Sequence, residues 1–561
     1  MPHFLDYLLP ALSKYASRTL LKLYTGTQDA PSWTNISYEQ FQNDMERVAR
    51  YWMEPLRMAG LEEKTVIGLW ITGEKYTDLV SMYAIARIGY IPQMLNKAMA
   101  NRIQPVVQDV LAATKGKAVL YDPYFADYLE PLLAQGVACM ELADISTIAN
   151  AEDELPPPPV VGDDEIGVIF HTSGTTSGIP KPVPEMHKWL RCQAQIQWPA
   201  IWQGGEGQAV VNNLGSFANV GSATTISYLG WSGHCLVQTS KPDIDAHEFV
   251  AMVEDGLNFV LLYAPWLSKL INVARTDDRV LKTLKGMKQV SYTGAALNPE
   301  DEQWLIENGV KATVIYATTE AGGCFVSDIS STSQLPSMHV IPGIKCQLIP
   351  TSGIKDKSEL DSDSSRRQGG TGMLFDCFLP ADADNCPHPS IRNRPDGHIT
   401  GDLFELTSEG LYAFRGRNDD WIRTGKHNSF CDTKSIEDSI LQTCADLVQN
   451  CVVVGHYRPG VVLFVEPAAG YPLDESVLEN TADTSEAVVG LKKKILERHA
   501  AFNGRLFVHE RINELYQVVV LPRGRLPRTM EKGNIRRKAT EDQNAQVLEK
   551  IYEKLKSQWT Y

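Results

Sequence analysis

The sequence is short of positive charge. Across 561 residues, 53 Lys and Arg stand against 68 Asp and Glu, a formal net charge of −15. Binding a phosphate backbone needs a positive surface, so nucleic acid is excluded as the main partner. Ten cysteines form no CxxC pair, and twelve histidines form no HExxH. Neither a zinc site nor a disulfide framework is therefore expected. No stretch approaches the roughly 20 apolar residues of a membrane span, so no membrane partner is expected. The start, Met1-Pro2-His3-Phe4-Leu5-Asp6, lacks the basic n-region of a secretory leader. Internal repeats and a G-x-x-x-x-G-K-[ST] loop are also absent. With 43% hydrophobic and 22% charged residues, disorder as the main state is excluded. The expectation is a folded, reduced, cytoplasmic enzyme.

What is present has a parallel-sheet rhythm. Thr65–Ile71 reads as a buried strand, Tyr76–Arg87 as a helix, and Gly89-Tyr90-Ile91-Pro92 as the following stop. Pro156–Pro159 reads as a surface connector, and Ser352–Gly372 as a long polar loop. The last part carries strands over Cys451–Val454 and Val461–Val465. Helices are expected from Asp474 onward and over Glu486–Arg498.

The most informative segment is Thr172-Ser173-Gly174-Thr175-Thr176-Ser177-Gly178-Ile179-Pro180-Lys181. It follows the apolar strand Ile166–Phe170 and precedes a helix-prone stretch, Met186–Trp198. Hydroxyls and glycines in such a turn can aim O–H and N–H donors at phosphate oxygens, and Lys181 adds a cation. By composition alone a flexible turn is the alternative. Further along come Tyr316-Ala317-Thr318-Thr319-Glu320, then Thr400-Gly401-Asp402, then Gly416-Arg417-Asn418-Asp419-Asp420-Trp421-Ile422-Arg423. Last comes a basic run, Leu526-Pro527-Arg528-Thr529-Met530-Glu531-Lys532-Gly533, continuing to Arg536, Arg537 and Lys538. Taken singly, Thr-Thr-Glu could be a helix N-cap and Gly-Asp a turn.

Taken in this order, the five segments resemble the motifs of the adenylate-forming superfamily: acyl-CoA synthetases, luciferases and adenylation domains of peptide synthetases. His171, the Lys181-Pro182 pair, Cys431–Asp438 and the Lys532-Gly533 order resemble the fungal single-module synthetases and carboxylic acid reductases. The phosphate loop carries one residue more than the usual T-S-G-[ST]-T-G-x-P-K, so Ser177 and Gly178 compete for one position.

The resemblance implies an α/β fold: a large domain of layered, mainly parallel sheets (1–416) and a small mobile α+β lid (417–561) pivoting at Asp419. It implies that ATP and Mg²⁺ are held by Thr172, Ser173, Gly174, Thr175, Thr176, Gly178 and Lys181. Tyr316 and Ala317 lie by the adenine, Thr319 at the α-phosphate and Glu320 at the metal. Asp402 and Arg417 serve the ribose, and Lys532 is the catalytic lysine, with Lys538 as the alternative. A carboxylate near polyphosphate needs a hard cation to offset repulsion.

The implied reaction makes an acyl-adenylate from a carboxylic acid, releasing pyrophosphate. Phe217, Ala218, Tyr263, Gly294 and Ala295 are expected to line the acid pocket. Neither Asp nor His follows Phe217, which points to an aryl or other non-amino acid. The thiol acceptor is a phosphopantetheine arm on a carrier domain, with CoA as the alternative. With the sequence ending at Tyr561, soon after Lys538, an excised adenylation domain or a free-standing ligase is expected. A nucleotide-binding module without catalysis is the remaining alternative.

Overall fold

The structure is a computed structural model describing residues 3–100, 106–149, 154–172, 180–241, 243–351, 370–417, 421–425, 429–471, 485–504, 506, 508–528 and 535–558. It divides into two compact units, one reaching Arg415 and the other starting at Gly416.

In the first unit, Val66–Trp70 is buried along its whole length, as a strand covered on both faces must be. It pairs in parallel with Ile91–Leu95 on one side and Ala118–Tyr121 on the other. The intervening helix, Tyr76–Arg87, follows the sequence expectation residue for residue. Its start is fixed by Asp78, whose carboxylate accepts from Gly73 N (2.7 Å), Glu74 N (3.1 Å), Lys75 N (3.1 Å) and Thr72 Oγ1 (3.0 Å). One carboxylate oxygen thus gathers the donors of the turn that leads into the helix, including the N–H of the N-cap residue Lys75. The resulting six-stranded sheet ends in Ile166–Thr172 and Lys181–Met186.

The helix-prone stretch Met186–Trp198 is helical from His187 on, but the chain does not enter it directly from the hydroxyl-rich segment. It returns first as a strand, Lys181–Met186, antiparallel to Ile166–Thr172 with Thr172 opposite Lys181. Pro182 and Pro184 explain this, because proline breaks a helix but is tolerated on an edge strand. Likewise Gly370–Gly372, expected in the polar loop, open the strand Gly370–Pro380, where Gly370 pairs with Thr407.

A second, nine-stranded sheet holds Cys235–Val237, Val210–Asn212, Phe259–Tyr263, Gln289–Thr293 and Ala312–Thr318 as neighbours. These five run parallel. Their carboxyl ends therefore share one edge, where open α/β sheets hold their ligands.

The second unit is built on Val448–Val454, Val462–Pro467 and Val518–Val520. Alternation sends Val453, Leu463 and Val465 into one apolar cluster, and Val452, Val454 and Phe464 into another. Helices Thr433–Thr443 and Glu486–Asn503 cover the first cluster, and Ala545–Gln558 the second. The helix expected from Asp474 begins among residues outside those described.

Candidate functional site

Ala312–Thr318 and Gly322–Val326 form an antiparallel hairpin whose turn carries Thr319 and Glu320. No helix starts here, so the N-cap alternative does not apply. Thr318 Oγ1 accepts from Ala321 N at 3.0 Å and closes the turn. Gly322, at φ +66°, is required: a Cβ there would lie 1.7 Å from Gln193 Nε2.

Thr400-Gly401-Asp402 is a bulge rather than a simple turn. Across the ladder, Asp376 pairs with Leu403 and Phe378 with Ile399, so these three residues oppose Cys377 alone. Gly401 takes φ +74° to allow it. The bulge turns Asp402, only 3% exposed, inward, where Tyr316 Oη donates to Oδ2 at 2.5 Å. The Tyr316 ring packs among Phe404 (4.8 Å between centroids), Phe325 (5.6 Å) and Phe414 (5.7 Å). Burial first, and the Asp402 charge second, push the Tyr316 phenol well above its ordinary range.

Beside this hairpin lies a cavity of about 110 Å³. Its walls come from the strand ends (Asn212, Thr293, Ala317, Thr318) and from the helical stretch that follows Met186. That stretch is not one regular helix: His187–Cys192 is α, Gln193–Gln197 is a π turn, and Trp198–Ile201 is α again. Trp189, Gln193 and Trp198 all border the cavity. Five residues make about 1.4 turns of α-helix. The i→i+5 bonding of a π turn instead carries Trp198 round to the face of Gln193.

The five residues expected to line the acid pocket do not border this cavity. Phe217 and Ala218 are packed into the core at 0% and 3% exposure. Gly294 and Ala295 are exposed. A Cβ on Gly294 would lie 2.6 Å from Tyr263 Cδ1, so the Tyr263 ring fills the space beside it. Leu214, Val220 and Gly221, which flank Phe217 in sequence, do form the cavity wall.

Residues 13–353 match the AMP-binding enzyme family, and residues 428–556 match the AMP-binding enzyme C-terminal domain. The chain belongs to the AMP-binding enzymes. Its family is one of adenylate-forming, acid-activating ligases. It is 32% identical over 520 residues to the AMP-binding domain-containing enzyme iboA of Amanita muscaria (strain Koide BX008), covering 91% of this chain and 95% of that protein. With the adenylate-forming reductase Nps9 of Serpula lacrymans var. lacrymans (strain S7.9) it shares 24% over 482 residues. That match covers 80% of this chain and 41% of the longer reductase. The fold resembles ATP-bound MatB from Rhodopseudomonas palustris, with a TM-score of 0.71 at 17% identity, covering 97% of this chain and 99% of that one.

Within this AMP-binding enzyme the expected nucleotide residues are unevenly placed. The structure brings Tyr316 and Asp402 together and puts Thr319 and Glu320 on the adjoining turn. Thr172 and Lys181 face each other across the end of a strand pair. Arg417 is exposed at the end of Tyr412–Arg417. Ser173, Gly174, Thr175, Thr176, Gly178, Asp419 and Lys532 lie outside the described residues.

Several residues of the basic run have partners within the C-terminal unit. Arg528 pairs with Glu466 at 2.5 Å, and Glu466 is 1% exposed. Arg537 pairs with Glu437 at 2.5 Å, and Arg523 donates to the carbonyls of Pro467, Ala468 and Tyr471. Lys538 pairs with Asp542 at 3.1 Å on its own helix. Buried carboxylates need paired charges, and these arginines supply them.

Sequence reasoning missed the cavity trio and also Glu185. This carboxyl is 0% exposed, and both of its oxygens lack a hydrogen-bond partner among the described residues. Burial, and then the charge of Glu320, push it well above the carboxylate range. An acidic residue inside the strand Lys181–Met186, three of whose other residues are buried apolar, was the available signal. His171 was noted only as a family mark. Its Nδ1 is 3.0 Å from Met94 O and its Nε2 is 3.1 Å from Gln93 Nε2, and burial holds it down to about 4.

Proposed function

We propose that this enzyme activates a small carboxylic acid. A carboxylate oxygen bonds to the α-phosphorus of ATP as the bond to the pyrophosphate oxygen breaks, leaving an acyl-adenylate and pyrophosphate. Two anions must meet in line, so catalysis is mainly positioning and charge neutralisation. The observation carrying this reading is the hairpin at Tyr316–Glu320. One short segment touches Asp402 on one side and forms the cavity wall, through Ala317 and Thr318, on the other. A nucleoside held at Tyr316–Asp402 and an acid held in the cavity would present their reacting groups to the same turn.

On this reading the segment Thr172–Lys181 holds the polyphosphate, Thr319 the α-phosphate, Asp402 and Arg417 the ribose, and Lys532 the substrate carboxylate. Glu320 fits a Mg²⁺ ligand. Its charge already raises the neighbouring Glu185 carboxyl, and a divalent cation would relieve that repulsion while offsetting the charge of the polyphosphate. The unit beginning at Gly416 acts as the lid, turning about Asp419 so that a thiol can attack the mixed anhydride. The acceptor is a phosphopantetheine arm, and adding either a carrier domain or CoA to the preformed adenylate tests this. Acyl transfer to CoA alone would refute the carrier. Acid-dependent exchange of pyrophosphate into ATP tests adenylation itself.

The cavity favours a small acid over the aryl acid expected from sequence. An apolar cavity of about 150 Å³ accepts benzene. In proportion, about 110 Å³ holds a tail of about four or five heavy atoms.

A further inference from the structure

All ten cysteines are free thiols, and eight of them are buried. Cys139 and Cys346 are the two partly exposed ones. Cys346 has a second sulfur beside it: its Sγ lies 3.2 Å from Cys377 Sγ, in hydrogen-bond contact. The register explains why they meet. Gln347–Pro350 runs antiparallel to Gly370–Pro380, with Gln347 opposite Phe378 and Leu348 opposite Cys377. Cys346 stands one residue before this ladder, so alternation puts it on the face of Leu348 and Cys377. The Cys346 contact first, and burial second, push the Cys377 thiol well above its ordinary range. Cys377 is thus held as S–H, and Cys346 is the sulfur that solvent reaches.

Cys377 stands where a displacement is felt at the nucleotide residues. It alone opposes the bulge Thr400–Asp402, and it shares an apolar cluster with Tyr316. The Asp402 charge acts on its thiol. A bulge interrupts the ladder hydrogen bonds, so the strand Gly370–Pro380 resists sideways movement least at this residue.

We infer that Cys346 and Cys377 form a reversible oxidation site, which closes to a disulfide under peroxide and loosens the Tyr316–Asp402 contact. The Cys346 sulfur bonds to one peroxide oxygen as the O–O bond breaks. The departing hydroxide takes the Cys346 proton and leaves as water, and Cys346 becomes a sulfenic acid. The Cys377 sulfur then bonds to the Cys346 sulfur as its S–O bond breaks, and the hydroxide carries off the Cys377 proton as a second water. Two thiols are oxidised and one peroxide is reduced; an added dithiol reverses the step by exchange. Closure draws the sulfurs from 3.2 Å to about 2.0 Å. Cys346 lies outside the ladder and Cys377 at its weakest point, so both yield, and the pull reaches the bulge. The effect on ATP rests on the adenylation reading above, in which Asp402 serves the ribose; the disulfide itself does not.

The test treats the full chain with hydrogen peroxide, maps linked peptides by mass spectrometry, and measures ATP affinity by calorimetry before and after. Two of the ten thiols should be lost in a Cys346–Cys377 link. The Kd for ATP should rise about fivefold or more, and dithiothreitol should restore both. Cys346→Ser should bind ATP as the wild type does and keep that affinity through peroxide, whereas Cys139→Ser should respond like the wild type. Absence of the Cys346–Cys377 link, oxidation of other cysteines in its place, or unchanged ATP affinity in the linked chain overturns the inference. A chain that binds no ATP before peroxide defeats the adenylation reading instead, and the link is still read from the peptides.

Discussion

The phenol of Tyr316 and the carboxylate of Asp402 meet at 2.5 Å, although they come from different sheets and from motifs far apart in the chain. The three-residue bulge at Thr400–Asp402 makes the contact possible by turning one strand residue inward. Tyr316→Phe removes the donor and leaves the ring in its aromatic cluster. A hydrogen bond to a charged acceptor is worth about 1.5–3 kcal/mol, so the variant should lose stability of that order in urea unfolding. KM for ATP should rise with it.

Glu185→Leu should stabilise the protein. The wild-type carboxyl is fully buried and has no hydrogen-bond partner among the described residues, and replacing such a group by an apolar one gains about 1–3 kcal/mol. The sign of the pH dependence follows from the raised folded-state value. Above the ordinary 4.5, the unfolded chain releases a proton that the folded chain retains, so wild-type stability falls as pH rises. The advantage of the variant should therefore be largest near neutral pH and narrow below about 4.5, read as melting temperature against pH.

Phe4 N donates to His187 Nδ1 at 3.2 Å, which requires that nitrogen to be unprotonated. Burial holds His187 down to about 4 against an ordinary 6.5. The unfolded chain binds the proton first, so this group's contribution to stability is lost as pH falls from 6.5 toward 4. His187→Asn, whose side-chain oxygen can still accept from Phe4, should flatten the melting-temperature profile in that window. An unchanged slope would contradict the assignment.

Gly322→Ala meets two obstacles: φ +66° and Gln193 Nε2 at 1.7 Å from the new Cβ. Gln193 must move, and the strained backbone adds about 1 kcal/mol or more. Adenylation should fall at least tenfold in kcat/KM while the far-ultraviolet spectrum of the chain stays as in the wild type.

How much of this was legible in the sequence depends on the range of the interaction. Val66–Trp70, Tyr76–Arg87 and the order of the motifs could be read because burial period, caps and turn residues are local. The strand Lys181–Met186 was missed because its alternate prolines read as a break until the edge position explains them. The cavity wall was missed for a different reason. A π turn changes the period after Gln193, so a 3.6-residue count puts Trp198 on the wrong face. The close approach of the Tyr263 ring to Gly294 could not be read either, because the two residues lie at different strand ends along the chain's path. The partners of two arginines in the basic C-terminal run could not be read because Glu437 and Glu466 are distant in sequence.

The central claim is that this chain joins a carboxylic acid to the adenylyl group of ATP, and exchange of labelled pyrophosphate into ATP tests it most directly. The account predicts exchange that requires an added acid, that nearly vanishes in Lys532→Ala with ATP binding still measurable, and that survives in Lys538→Ala. Exchange by Lys532→Ala at the wild-type rate would move the catalytic role to another residue. No exchange with any acid, from protein that binds ATP, would contradict the account.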